Sequence, residues 1–408
     1  MSEPDVSNLL TVAQAIEIID AAPVSPRAIA VSLRDAEGLV LADPIRADRD
    51  FPPFDKSQMD GFAVRAADVP GELRIVGEVP AGKSAACGVA KGQALAIMTG
   101  APLPVGSDAV VPVEDTARTG DTITIAKPTT PGKFIARRGS DVRERVIVLD
   151  RGIRFGAAQL AVAASVGAAS VRVFATPQAA ILATGDELVP FDQTPTGAQI
   201  RESNSIMLAT LLRRMGCDIA DLGIVRDDPK LIRDALDRAI NDHDVVFVTG
   251  GMSMGAYDYV PRILRELGID LRITKLRIKP GKPFVFGVKQ TKFVFGLPGN
   301  PVSGFVCTVR LASRLIARLG GGSVCETWSE GALSDALPPN GPREFYQPVF
   351  RTNIAARNSS QSVIANIRPL TWKGSSDLFT LAAANALLIR AENEPALPMG
   401  TMVRVLEI

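Results

Sequence analysis

The chain has 408 residues, of which 46% are hydrophobic and 22% charged, enough for two to four domains at about 150 residues each. Its 45 lysines and arginines balance 44 acids, so no net field recruits nucleic acid or an anionic membrane, and any anion site must be local. Cys87, Cys217, Cys307 and Cys325 form neither a CxxC pair nor a dense secreted framework, which predicts reduced thiols in a cytoplasmic protein. His243 is the only histidine, which argues against His-rich metal sites and a Ser-His-Asp triad; "NDHD" places it at a helix-to-strand junction.

No signal peptide is predicted, because "MSEPDVSNLL" is acidic and has no basic region before an apolar run. Residues 11–22 put Val12, Ile16 and Ile19 on one face of a short amphipathic helix. From 51 to 139, brief β-rich runs separated by Gly, Pro and Asp predict a small all-β domain. The alanine-rich stretch 140–176 reads as helix, so that 1–50 and 140–176 together are expected to form an elongated, helical N-terminal region carrying the β domain as an insertion. The window from Gly156 is apolar but interrupted by Gln159, Ser165, Ser170 and Arg172, which predicts a buried or interface helix, not a membrane span.

Strands and helices alternate across 177–326, predicting an α/β domain with an open, mostly parallel sheet. Its best-marked helix is "DDPKLIRDALDRAI": Asp227 or Asp228 can cap it, Pro229 suits its first turn, and Leu231, Ile232, Ala235, Leu236, Ala239 and Ile240 recur at helical spacing. A long helix is expected from about 301 to 319, and short strands between turns across 327–408 predict a C-terminal β-barrel.

Ligands of open α/β sheets lie beyond the carboxyl ends of the strands. Three strands here run into unusual loops: "ATGDELVP" (183–190), "TGGMSMGAYDY" (249–259) and "GLPGNPVSG" (296–304). Gly250, Gly251 and Gly255, with Ser253, can present amides and a hydroxyl to a phosphate, or can simply make a tight turn; without a Walker lysine the motif is no P-loop. Pro298 and Pro301 stiffen the third loop. In "IKPGKPF", Lys279 and Lys282 are fixed between prolines and a glycine, and with Lys275 they suit a multiply charged anion. Glu187 and Asp258 would crowd a phosphate unless a hard cation, naturally Mg²⁺, lay between them. Upstream, Asp60 sits in a dense polar stretch, and Asp141 lies beside Arg137 and Arg138 in what reads as a surface ion-pair cluster.

Seven motifs in order, "MDGFAVR", "IMTGA", "RRGSD", "ATGDEL", "TGGMSMGAYDY", "KPGKPFVFG" and "GLPGNPVS", resemble those of MoeA-type molybdopterin molybdenumtransferases, the group that includes the C-terminal domain of gephyrin. The resemblance runs through nearly the whole chain and implies a central domain of the molybdopterin-binding type. It also implies the last step of molybdenum cofactor synthesis, in which molybdate and adenylylated molybdopterin enter and AMP leaves with Mg²⁺ as cofactor. On that basis Lys275 and Lys279, with Lys282 nearby, hold molybdate, while Glu187 and Asp258 hold the metal. Asp60, Asp141 and Asp227 orient groups or transfer protons, and Thr99 is a further polar contributor. Arg343 in "GPREF" and Ser375 in "GSSDLF" match positions near molybdate. A homodimer is implied in which the early segment of one subunit borders the α/β site of the other, with the molybdopterin adenylyltransferase and molybdoenzymes as further partners. The chain departs from the family pattern in "DKSQMDG", "GGMSMG" and "GSS". Two other readings are an adenylyltransferase acting on molybdopterin with ATP, and a scaffold that keeps the fold without turnover.

Overall fold

The computed structural model describes residues 8–252, 259–324, 326–352 and 365–408. The chain divides into two compact units, one of residues 1–29, 38–42 and 172–408, the other of residues 30–37 and 43–171.

The second unit is built on a six-stranded mixed sheet, in the order Ala109–Pro112, Gly61–Val64, Gln93–Ile97, Gly71–Val79, Thr122–Ile125, Thr116–Thr119. Alternation of side chains sends Phe62, Val64, Leu73 and Ile123 into one core and Ala63, Val79, Leu95 and Ile97 into another. The remainder is not the helical region expected from the alanine content. It contains the 3₁₀ turn Leu33–Asp35, the helix Ala157–Ser165 and paired short strands such as Ile45–Arg46 with Ile147–Leu149. Residues 170–174 illustrate why: Val171 and Val173 are buried and Ser170 and Arg172 exposed, a period of two that fits a strand and overrides helix propensity.

The first unit centres on a six-stranded sheet in the order Asp218–Val225, Gln178–Thr184, Val245–Thr249, Lys292–Leu297, Val285–Lys289, Asp270–Ile273. The pairings among the first four strands are parallel and the last two pairings antiparallel, so Val285–Lys289 alone runs against the other five and makes the sheet mixed. The reversal follows from the two-residue turn between Val285–Lys289 and Lys292–Leu297, too short for the crossover that a parallel pair needs. One face packs Phe247, Phe284, Phe286, Phe293 and Phe295 against the helices Asn204–Arg214, Pro301–Cys307 and Ser313–Leu319. The other packs Leu182, Val246 and Val248 against Pro229–Asp242 and Val260–Glu266. The capping alternative resolves on Asp228, whose Oδ1 accepts the amides of Lys230 and Leu231. His243 ends that helix, with its Nδ1 3.0 Å from the carbonyl of Ala239.

The opening helix Val12–Asp20 also belongs to this unit: it buries Val12, Ala15 and Ile19 in the phenylalanine-rich core, and Asp20 pairs with Arg314. The expected long helix runs from Pro301 to Leu319, interrupted by a π-helical turn at Thr308–Ala312. C-terminal strands close a five-stranded barrel: Glu344–Thr352 pairs with Ala365–Pro369, then Trp328–Leu333, Met402–Glu407 and Ala386–Arg390, which returns to Glu344–Thr352. Closure leaves no free edge among these strands. One short segment, Ile278–Lys279, adds itself to the start of Glu344–Thr352 and ties barrel to sheet. Among the described residues no helix is long and apolar enough to cross a membrane.

Candidate functional site

Ala183 pairs with Thr249 and Thr249 with Leu297, so three parallel strands end level with one another. Their loops enclose a cavity of about 380 Å³ lined by Thr184, Glu187, Asn204, Gly250, Gly251, Pro298 and neighbours. Gly250 has φ 86° and lies so close to the adjoining strand that a Cβ there would stand 2.2 Å from the Thr184 carbonyl oxygen. Only glycine fits, and the tight turn brings backbone into the crevice wall. Glu187 is exposed and its carboxylate folds back over Gly185, where an added Cβ would meet Oε2 at 2.7 Å. Asn204, which sequence reasoning missed, donates from Nδ2 to the Gly299 carbonyl at 2.8 Å, while its buried Oδ1 has no partner among the described residues. The sequence held no stronger signal for it than an asparagine opening a helix.

A second cavity, of about 250 Å³, shares Pro283, Pro298 and Asn300 with the first. It is lined by Lys279, Lys282, Arg343, Ser303, Ser375 and Trp372 among others, and among the described residues by no acid. Its volume is several times the ~30 Å³ share of one water, room for a small oxyanion. Among the described residues no carboxylate forms an ion pair with Lys279, Lys282 or Arg343. The Lys279 ammonium instead lies over two rings, 4.8 Å from the centroid of Phe345 and 5.9 Å from that of Trp372. Strand pairing explains this, since Lys279 sits opposite Phe345. Asn300 Nδ2 donates to Ser375 Oγ at 2.8 Å, and the Val302 amide donates to the Ser375 carbonyl at 3.1 Å, so the barrel loop is pinned to the start of the long helix.

A larger cavity, about 810 Å³, flanks the other side of the loop after Thr184. Its walls carry Asp186, Glu202 and Asp221 against Arg226, a balance that disfavours an oxyanion. Asp227 lies beside it, its amide donating to Asp186 Oδ1 at 3.2 Å.

In the other unit the first two motifs meet. Thr99 donates to Asp60 Oδ1 from its amide at 2.6 Å and its hydroxyl at 2.8 Å; Ser57 and Gly100 exchange backbone bonds with this turn, and Gln58 donates to the Phe134 carbonyl. The Thr99 amide, then its hydroxyl, hold the Asp60 carboxyl below the usual range. Arg137 and Arg138 turn to Asp55 and Asp50 at 2.6 and 2.7 Å, and not to Asp141, whose Oδ1 accepts from Ser140.

Of the sequence-named residues, Glu187, Gly250, Gly251 and Pro298 line the first cavity, and Pro298, Lys279, Lys282, Arg343 and Ser375 the second. Pro301 takes the first turn of its helix. Lys275 is half-buried and lines neither cavity, so the expected Lys275–Lys279 pair does not converge there. Ser253 and Asp258 lie outside the described residues. Among the described residues no cluster of three or more His, Cys, Asp or Glu side chains could hold a metal, but one carboxylate on the crevice wall, Glu187, suits Mg²⁺, which keeps waters and shares its shell with phosphate. Cys307 and Cys217 are inert thiols: burial raises both, Cys217 to about 12.

A glycine-walled crevice and a cationic cavity thus share Pro283, Pro298 and Asn300 at the strand ends of an α/β sheet with a barrel attached. Comparison with known proteins supplies the family. Residues 10–167 match the MoeA N-terminal region (domain I and II), and residues 180–318 match a probable molybdopterin binding domain. The chain is 33% identical over 400 residues to the molybdopterin molybdenumtransferase of Nostoc sp., covering 93% of this chain and 88% of that one. It is 34% identical over 317 residues to that of Haemophilus influenzae, covering 77% and 78%. The molybdopterin biosynthesis moeA protein of Pyrococcus horikoshii OT3 superimposes with a TM-score of 0.84 at 30% identity, covering 98% of this chain and 100% of the other. The chain belongs to the molybdopterin molybdenumtransferase family, enzymes of molybdenum cofactor biosynthesis.

Proposed function

We propose that the protein inserts molybdate into adenylylated molybdopterin with release of AMP and with Mg²⁺ as cofactor. The observation that carries this reading is the shared wall of the two cavities: a pocket with Lys279, Lys282 and Arg343, and no acid among the described residues, lies against a glycine-lined crevice. An oxyanion and a phosphate-bearing ligand can thus be held side by side, and proximity itself lowers the barrier between two bound reactants.

In this reading Lys279, Lys282 and Arg343 hold molybdate by charge, Ser375 donates a hydrogen bond to it, and the backbone at Gly250 and Gly251, with Ser253, receives the phosphate. Pro298 and Pro301 fix the loop between the two ligands. Lys275 contributes charge from outside the cavity. Asn204 Oδ1 accepts from an N–H or O–H of the organic ligand. Glu187 and Asp258 would hold Mg²⁺, which when bound neutralises the phosphate and polarises the bond that breaks. Asp60, kept ionised by Thr99, orients its target and does not give up a proton at neutral pH. Asp141 and Asp227 are assigned to orientation or proton transfer.

The family resemblance adds a four-part division (1–50 with 140–176, 51–139, 177–326, 327–408), a cytoplasmic homodimer, and contacts with an adenylyltransferase and molybdoenzymes. A homodimer gives the Asp60–Thr99 pair its role at the α/β site of a second subunit. Mixing Asp60→Ala and Lys279→Ala proteins should then restore part of the activity that each lacks; no recovery at any mixing ratio would count against shared sites.

The direct test supplies adenylylated molybdopterin with and without molybdate and measures AMP. Molybdate-dependent release is expected. Release indifferent to molybdate, or turnover of ATP with plain molybdopterin, would replace this reading with the adenylyltransferase one.

A further inference from the structure

Trp372 is not among the residues that the motifs single out, yet it lines the cationic cavity, and its Nε1–H is sealed from solvent with no hydrogen-bond partner among the described residues. A buried unpaired donor is costly, so its retention calls for a compensating contact. The ring has a second role. Phe345 and Trp372 pack against each other at 5.2 Å, and the Lys279 ammonium rests over both. Aromatic faces hold a cation without neutralising it. A carboxylate in that place would fix the lysine equally well but would cancel the charge that an anion needs.

We propose that Trp372 is a direct oxyanion-binding residue of this protein: its face stations Lys279 in the empty cavity, and its indole N–H donates to an oxygen of the bound tetrahedral oxyanion. Arrival of the anion satisfies the unpaired donor. This rests on the functional reading above, with molybdate as the oxyanion.

The test is molybdate binding by the purified full-length protein, followed by titration, with AMP binding measured in parallel. Trp372→Phe keeps the aromatic face and loses the donor; molybdate affinity should fall roughly tenfold or more, the worth of a hydrogen bond to a charged group. Trp372→Leu also loses the face and should fall a further few-fold. AMP affinity should stay within about twofold in both, because the nucleotide crevice is untouched. In the unsubstituted protein, only two tryptophans give indole N–H resonances, and Trp328→Phe assigns them. The Trp372 resonance should move on adding molybdate and stay in place on adding AMP. Wild-type molybdate affinity in Trp372→Phe, or an unmoved indole resonance at saturating molybdate, overturns the inference while leaving the functional reading intact. Failure of the unsubstituted protein to bind molybdate removes both.

Discussion

Asn300 donates to the hydroxyl of Ser375 at 2.8 Å, and this fixes where the serine's own proton goes. A hydroxyl has one proton and two lone pairs. With Asn300 on a lone pair, the O–H is free to donate into the cavity. Asn300 stands at the N-cap of the long helix but makes no side-chain cap bond there, so its amide is committed to the serine. Asn300→Asp reverses the bond, making the serine donate to a carboxylate and placing negative charge beside Lys279 and Arg343. Molybdate affinity should fall about ten- to a hundredfold, and less in Asn300→Ala. Equal affinity in Asn300→Asp and the parent would refute this orientation.

The two lysines named together by the family resemblance should separate in experiment. Lys279 lines the cavity and Lys275 does not. Lys279→Met should weaken molybdate binding by about tenfold or more while sparing AMP, whereas Lys275→Met should cost only a few-fold, as for a charge acting across solvent. Equal losses, read by titration at the same ionic strength, would place Lys275 against the anion.

Gly250→Ala tests the crevice wall. Its left-handed φ and the 2.2 Å approach to the Thr184 carbonyl mean that a methyl group must push two strand ends apart. The loss should be about 2 kcal/mol or more in denaturant unfolding, with weaker AMP binding. A variant as stable as the parent would show that these ends part freely.

Glu344 supplies a pH signature. Burial raises its carboxyl above the ordinary 4.5, against the lowering effect of the Tyr346 hydroxyl, which donates to it at 2.5 Å, and of Arg310. The folded protein therefore binds this proton more tightly than the unfolded chain does. Stability from this group is greatest below the ordinary carboxylate range and declines as pH rises through the raised value. Glu344→Gln should remove that decline, seen as a shallower slope of unfolding free energy with pH above about 4.5. An unchanged slope would mean that the group titrates normally.

Much of the fold was legible because its signals are local. Asp228 with Pro229 starts a helix, and Ile232, Leu236, Ala239 and Ile240 are buried at helical spacing as the periodicity implied, while Leu231 stays exposed. Glycine and proline after Thr184, Thr249 and Leu297 marked the strand ends that line the crevice. Residues 140–176 were legible only in part: the helix Ala157–Ser165 forms, but alanine favours a helix only until a partner strand offers Val171 and Val173 a better burial.

By itself the sequence determined the order of elements, the loops that end the strands, and the charge that Lys279 and Lys282 carry beside Pro280 and Pro283, since each is set by neighbours within a few positions. Only the tertiary structure decided which charges meet. Barrel closure brought Arg343, Trp372 and Ser375 to Lys279 and left Lys275 aside, and Arg137 and Arg138 found Asp55 and Asp50 in place of Asp141. Such pairings depend on register between strands far apart in the chain, which no local pattern encodes.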